Sequence, residues 1–177
     1  ETNNLKNFQY DDTQKTILRS KKLTKNKIDK YILSEENNII FSDQKGNLFV
    51  YSLNEKKLKN KFNFYKKRFK NLKKKLNLIV DNGVIYVSDN IGYLYAYNYN
   101  SNKILWAKNY KVPYRSNIKI SGEKLIASNQ NNNLFFYNKN TGEILKLIPT
   151  EENTVKNRFI NNISLNAKYT FFLNTYG

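Results

Sequence analysis

Short apolar runs alternate with polar turns along almost the whole chain. Val84–Ser88 and Tyr93–Tyr97 are two such runs, separated by Asp89-Asn90-Ile91-Gly92. Each is short, rich in Ile, Val, Tyr or Phe, and bounded by Asn, Asp or Gly, which predicts strands joined by tight turns. A first strand is predicted at Leu76–Val80, Asn117–Ile120 and Ile163–Leu165, and a fourth at Ile104–Lys108 and Ile144–Ile148. Asp81-Asn82-Gly83 and Ser121-Gly122 read as the tight turns after first strands, and Asn140-Thr141-Gly142 as the turn before a fourth. No capped helix of useful length is expected. Phe69, Leu72 and Leu76 have helix-like spacing, but the polar stretch around them reads as a connector.

The runs recur as a unit. Ile39-Ile40-Phe41-Ser42-Asp43-Gln44-Lys45-Gly46-Asn47-Leu48-Phe49-Val50-Tyr51 returns as Ile85-Tyr86-Val87-Ser88-Asp89-Asn90-Ile91-Gly92-Tyr93-Leu94-Tyr95-Ala96-Tyr97. It returns again from Leu125 to Tyr137, with Asn132 in the place of the glycine, and a fourth copy starts at Thr170. The period is 40–46 residues with four short strands in each. A lone four-stranded antiparallel sheet covers neither of its faces. Stacking such sheets around an axis buries both, which explains strands such as Leu134-Phe135-Phe136-Tyr137 that are apolar at consecutive positions. The expected fold is an all-β propeller of four-stranded antiparallel blades, in one domain over residues 1–177. A β-sandwich is the alternative, and it requires no fixed period.

Blade units fall at about 1–27 (partial), 28–65, 76–112, 116–150 and 158–177 (partial), with 66–75 a basic connector. Leu5–Tyr10 and Thr16–Ser20 read as the third and fourth strands of one blade. Ile163–Leu165 and Tyr169–Asn174 read as the first and second of another. Three whole blades and two halves fit a segment of a seven- or eight-bladed ring, or a small four-bladed ring closed by a composite blade. Closure removes exposed sheet edges.

Composition narrows the chemistry. The chain of 177 residues has no Cys, His or Met, so thiol nucleophiles, disulfides, Cys/His zinc sites and histidine bases are excluded. No apolar run approaches the roughly 20 residues of a membrane-spanning helix. Net charge is +17. Arg occurs only at 19, 68, 115 and 158, so nearly all basic residues are Lys. The enriched Lys, Asn, Ile, Tyr and Phe all have AT-rich codons, so the charge reads either as a base-composition effect or as attraction to a polyanion or acidic partner. Lys lacks the bidentate fork of Arg, which argues against specific nucleic-acid recognition but not against an anionic surface.

The densest basic stretch is Lys66-Lys67-Arg68-Phe69-Lys70-Asn71-Leu72-Lys73-Lys74-Lys75. As a connector it emerges on the same face as the turns carrying Asp43 and Asp89. Lys66, Lys67, Arg68, Phe69, Lys70, Lys73, Lys74 and Lys75 are therefore the candidate contacts for an acidic partner or anionic headgroups, unless the stretch is only a solvated loop. Asp43, Asp89 and Asn129 recur once per blade. They read either as a ring of ligand contacts or as turn residues bonding their own backbone beside Gly46 and Gly92. Trp106, the only Trp, reads as a side chain packed between blades with its indole N–H on a neighbouring carbonyl, or as part of a groove. Tyr86, Tyr93, Tyr95, Tyr97 and Tyr99 read as core or as a base-stacking platform. No spacing links a nucleophile to a base, so no catalysis is expected.

Ala96-Tyr97-Asn98-Tyr99-Asn100-Ser101-Asn102-Lys103-Ile104-Leu105-Trp106 resembles the tryptophan-docking repeat of quinoprotein-type propellers, roughly A-x-D-x-x-T-G-K-x-x-W. The next unit keeps Thr141-Gly142 and Ile144-Leu145 but has Lys146 in place of the Trp; the unit from Val50 is more degenerate. Gly46, Gly92, Trp106 and Gly142 are the structural positions of this repeat. One branch of the family binds pyrroloquinoline quinone and calcium, commonly beside adjacent cysteines, which this chain lacks. The resemblance therefore implies the non-catalytic, BamB-like branch: a scaffold without cofactor, periplasmic or envelope-associated, whose partner is a protein, a component of the outer-membrane β-barrel assembly machinery being the candidate. The chain begins at Glu1, as a mature form or a cut piece does, so a removed N-terminal segment that anchored it is compatible with that reading. A degenerate quinoprotein relative is a further alternative.

Overall fold

The computed structural model describes residues 20–29, 31–65, 69, 71–150 and 160–174. The strands expected at Leu5–Tyr10 and Thr16–Ser20 lie outside these residues, apart from Ser20. Among the described residues every regular element is a strand. Blade one comprises β1 (Leu33–Glu35), β2 (Asn38–Ser42), β3 (Asn47–Ser52) and β4 (Lys57–Asn63). Blade two comprises β5 (Leu76–Asp81), β6 (Val84–Asp89), β7 (Tyr93–Asn98) and β8 (Lys103–Asn109). Blade three comprises β9 (Lys119–Ser121), β10 (Lys124–Ser128), β11 (Leu134–Asn138) and β12 (Ile144–Ile148). A two-stranded sheet of β13 (Asn162–Leu165) and β14 (Thr170–Leu173) follows. Each whole blade is an antiparallel meander in chain order. This is the architecture of a propeller, not of two facing layers.

Local chemistry sets the hairpins. Asn82 and Gly83 both have positive φ (51° and 77°), the two-residue turn whose twist matches flanking antiparallel strands. β9 is shorter than the expected Asn117–Ile120 strand. Asn117 instead turns its side-chain amide to the backbone of Ile163, donating to its carbonyl at 2.9 Å and accepting its N–H at 2.8 Å, which ties blade three to β13. The register between third and fourth strands shifts at the same place in every blade, at Val50/Tyr51, Ala96/Tyr97 and Phe136/Tyr137. A bulge there increases the local twist.

The core lies between blades. Ile40, Leu48 and Val50 of blade one meet Leu78, Ile85, Val87, Tyr95 and Tyr97 of blade two. Tyr86, Leu94 and Ala96 meet Leu125, Ala127 and Tyr137 of blade three, and Ile126 and Leu134 meet Ile163. The two faces of each middle blade thus pack against different neighbours. Tyr95, Tyr97, Tyr137 and Phe49 are among the largest fully buried side chains. Burial of the Phe49 ring contributes about 1.5–3 kcal/mol. Tyr86 and Tyr99 are also buried and Tyr93 is half-buried, so these rings fill the core and form no open stacking platform.

Candidate functional site

The connectors between blades lie on the turns between second and third strands. The Lys74 N–H donates to the Gln44 carbonyl (2.9 Å), Tyr110 N–H to Gly92 (2.8 Å), and Gln130 N–H to Pro113 (2.8 Å). These bonds bring together one face made of the Asp43, Asp89 and Asn129 turns and the connectors after β4 and β8, which Asn161, after β12, joins by donating to Ser128 Oγ at 2.9 Å.

The turn residues act on their own loops. One Asp89 carboxylate oxygen accepts the N–H groups of Ile91, Gly92 and Tyr93, each at 2.8 Å, and the other accepts the Tyr65 hydroxyl from blade one. Asp43 accepts Lys45 and Asn47 N–H groups, and its second oxygen takes Thr24 Oγ1 and Asn26 Nδ2, both at 2.9 Å. Asn129 Oδ1 accepts Asn131 and Asn133 N–H groups. Burial raises the Asp89 pKa, opposed by the Tyr65 hydroxyl and the three amides. Burial acts the same way on Asp43, but the hydrogen bonds from Asn26, Asn47 and Thr24 outweigh it and lower the pKa. Among the described residues no group of three or more Asp, Glu, His or Cys is placed to hold a metal ion. With these carboxylates engaged by backbone amides, the described residues do not fit a quinone–calcium centre.

The basic connector is described in part. Lys66, Lys67, Arg68 and Lys70 lie outside the described residues. Phe69 is partly exposed with φ +59°, its ring edge-on to Tyr93 at 6.1 Å. Lys74 is buried: its ammonium donates to the Phe69 carbonyl and lies 5.6 Å from the centre of the Tyr65 ring. Burial, with Lys45 nearby, pushes its pKa down. Lys74 therefore holds the loop from inside, unlike the surface contact expected of it. Lys73 and Lys75 are exposed. Asn90, on the β6–β7 turn, fixes their backbone, donating to the Lys73 carbonyl (3.0 Å) and accepting the Lys75 N–H (2.8 Å). Nothing in the pattern of Lys residues distinguishes Lys74 from its neighbours; the signal lies in Tyr65 and Gly46, against which it packs.

Beside this loop is a cavity of about 390 Å³, lined by Lys27, Asp29, Tyr31, Lys73, Lys75 and Asn77 among others. Burial raises the Asp29 pKa, opposed by the Ser42 hydroxyl, which donates to it at 2.6 Å, and by Lys75. Sequence patterning gave no sign of Lys27 or Asp29: their places recur at Pro113 and Arg115, which pair in the same way with the Asn129 turn, but the side chains there share no chemistry.

The repeat positions are structural in their contacts. The Trp106 indole N–H donates to the Lys139 carbonyl in blade three at 3.0 Å. Gly142 (φ +73°) sits under its ring, where an added Cβ would come within 2.5 Å of Trp106. Gly46 and Gly92 occupy equivalent turns with φ of +79° and +106°.

No family profile and no curated protein sequence matches the chain. Solved structures do. BamB from Moraxella catarrhalis superposes with a TM-score of 0.66 at 15% identity, over 80% of this chain and 41% of that one. The computationally designed Ika4 protein gives 0.67 at 8% identity, over 87% of this chain and 89% of its own. A europium-containing methanol dehydrogenase gives 0.53 at 16% identity, over 66% of this chain and 23% of that one. The chain spans about two fifths of the length of BamB and less of the dehydrogenase. At these identities the likeness is one of fold, and the fold is a β-propeller of four-stranded blades.

Proposed function

We propose that this chain is a non-enzymatic propeller scaffold that offers its turn-and-connector face to a protein partner, as part of outer-membrane protein assembly in the cell envelope. One observation carries the reading. On that face the carboxylates of Asp43 and Asp89 are held by their own turns, while Lys73 and Lys75 stand exposed on a backbone pinned by Asn90, and the partly exposed Phe69 is held by the Lys74 ammonium on its carbonyl. A preordered loop loses little entropy on docking, which favours binding over chemistry. The fold shared with BamB supports the envelope setting. The tagged chain is cross-linked in an envelope fraction. Recovery of β-barrel assembly components, lost on Lys73→Glu with Lys75→Glu, is the expected outcome. Recovery of cytosolic proteins alone refutes the proposal.

A second reading rests on the exposed Phe69 beside Lys73 and Lys75 and on the net charge of +17. An apolar tip within a basic loop suits an anionic headgroup surface. Binding to anionic vesicles that falls with salt and with Lys73→Gln plus Lys75→Gln supports it; binding unchanged by either excludes it.

A further inference from the structure

The cavity beside the basic connector has the size and the lining of a ligand site. Its volume of about 390 Å³ lies at the low end of the roughly 300–1,000 Å³ that hold small organic molecules. Its walls come from the segment before β1, from the start of β5, and from Ile160 before β13. Part of the lining is apolar: Ile28, Tyr31 and Ile160 are 41–53% exposed. The rest is largely basic. Among the described residues, Lys27, Lys73 and Lys75 line the cavity with a single carboxylate, Asp29. Asp29 is already engaged, because the Ser42 hydroxyl and the Leu76 N–H donate to it. The lining therefore carries an excess of positive charge.

Asn77 shows where a guest would bind. It lines the cavity and is only 6% exposed, yet its side-chain amide has no partner among the described residues. The equivalent residue of blade three, Asn117, spends its amide on both backbone groups of Ile163. Asn77 lies opposite Ser88 in the β5–β6 pair, so the two side chains share a face. The Ser88 hydroxyl is buried and also lacks a partner among the described residues. Its counterparts are engaged: Ser42 donates to Asp29, and Ser128 accepts from Asn161. A buried polar group left unpaired costs about 1–3 kcal/mol, so two side by side call for a guest that accepts their hydrogen bonds.

We propose that this cavity binds a small organic carboxylate with an apolar body. The carboxylate accepts from the Asn77 amide and from the Lys27 and Lys75 ammonium groups, and the carbon skeleton lies on Ile28, Tyr31 and Ile160. Inorganic phosphate suits the site less, because it leaves the apolar wall bare. Phe69, which both readings of the connector face use, is not part of this lining, so the site stands or falls apart from them.

Benzoate is the probe. Benzamide is its uncharged analogue, and inorganic phosphate is the anion without an apolar body. Each is titrated into the isotope-labelled full chain at constant ionic strength, and the Asn77 side-chain amide is followed by NMR. Saturable shifts of that amide and of the Lys75 and Ile160 N–H groups are expected with benzoate. Lys27→Gln with Lys75→Gln should weaken benzoate roughly tenfold and leave benzamide unchanged. Phe69→Ser should change neither. Asn77→Asp sets a carboxylate against the bound one and should abolish binding. Lys27 and Lys75 are exposed, so the lysine pair keeps the test decisive if Asn77→Asp folds poorly. Benzamide or phosphate binding as tightly as benzoate overturns the proposal. So do shifts confined to lysines elsewhere, or no saturable shift at all, the result if water alone satisfies Asn77.

Discussion

Replacing Gly142 by Ala tests whether the Trp106 contact between blades two and three holds the stack. Two costs are separable. The φ of +73° places any L side chain in the left-handed region, at roughly 1–2 kcal/mol. The new Cβ would also come within 2.5 Å of the Trp106 ring, so the indole must shift. That breaks its hydrogen bond to Lys139, worth about 1 kcal/mol, and loosens its packing by a similar amount. The sum is about 3–4 kcal/mol, which for a domain of this size lowers Tm by roughly 6–16 °C. Gly122 supplies the control: φ is +55° and a Cβ there meets nothing within 4 Å, so Gly122→Ala carries the backbone cost alone. Urea unfolding followed by circular dichroism measures both, and in the parent and single variants Trp106 fluorescence gives a second probe. In a Trp106→Leu background the Gly142→Ala penalty should fall to that of Gly122→Ala. Equal penalties for the two glycines in the parent chain, or no coupling to Trp106, refute the reasoning.

Asp43 has a lowered folded-state pKa, so its contribution is present above its unfolded value near 3.8 and is lost as pH falls through the lower folded value. Asp43→Asn should therefore destabilise the protein at neutral pH by about 1–3 kcal/mol and flatten the acid limb of the stability curve; an unchanged acid limb contradicts this. Asn90→Ala removes both bonds that hold the basic connector to the β6–β7 turn. The Lys75 amide should then exchange roughly tenfold faster while global unfolding moves by no more than about 2 kcal/mol, and a Lys75 amide still protected would show that the loop is held elsewhere.

Much of the fold was legible because a propeller is written as a period. The Asp43 and Asp89 turns with their glycines, the apolar second and third strands and the Trp106 docking position all follow from local sequence, since turn chemistry and strand alternation act over a few residues. The site was less legible. Seven basic residues between 66 and 75 look alike in sequence, yet Lys74 is buried over Tyr65 while Lys73 and Lys75 face outward. Side-chain direction in an irregular loop depends on which neighbour leaves room. Asp29 and Lys27 reach the same cavity from before β1 by backbone pairing with the Asp43 turn, where Asp29 N–H donates to the Ser42 carbonyl at 2.9 Å and Gln44 N–H to the Lys27 carbonyl at 3.0 Å.

The sequence by itself determined the strands, their turns, the repeat and the charge, because each is fixed by residues adjacent along the chain. Only the tertiary structure decided which tyrosines are core, which lysine is inside, and that Asp89 takes a hydroxyl from the preceding blade. Those outcomes depend on contacts between residues tens of positions apart, and no local pattern encodes which face of one blade meets which face of the next.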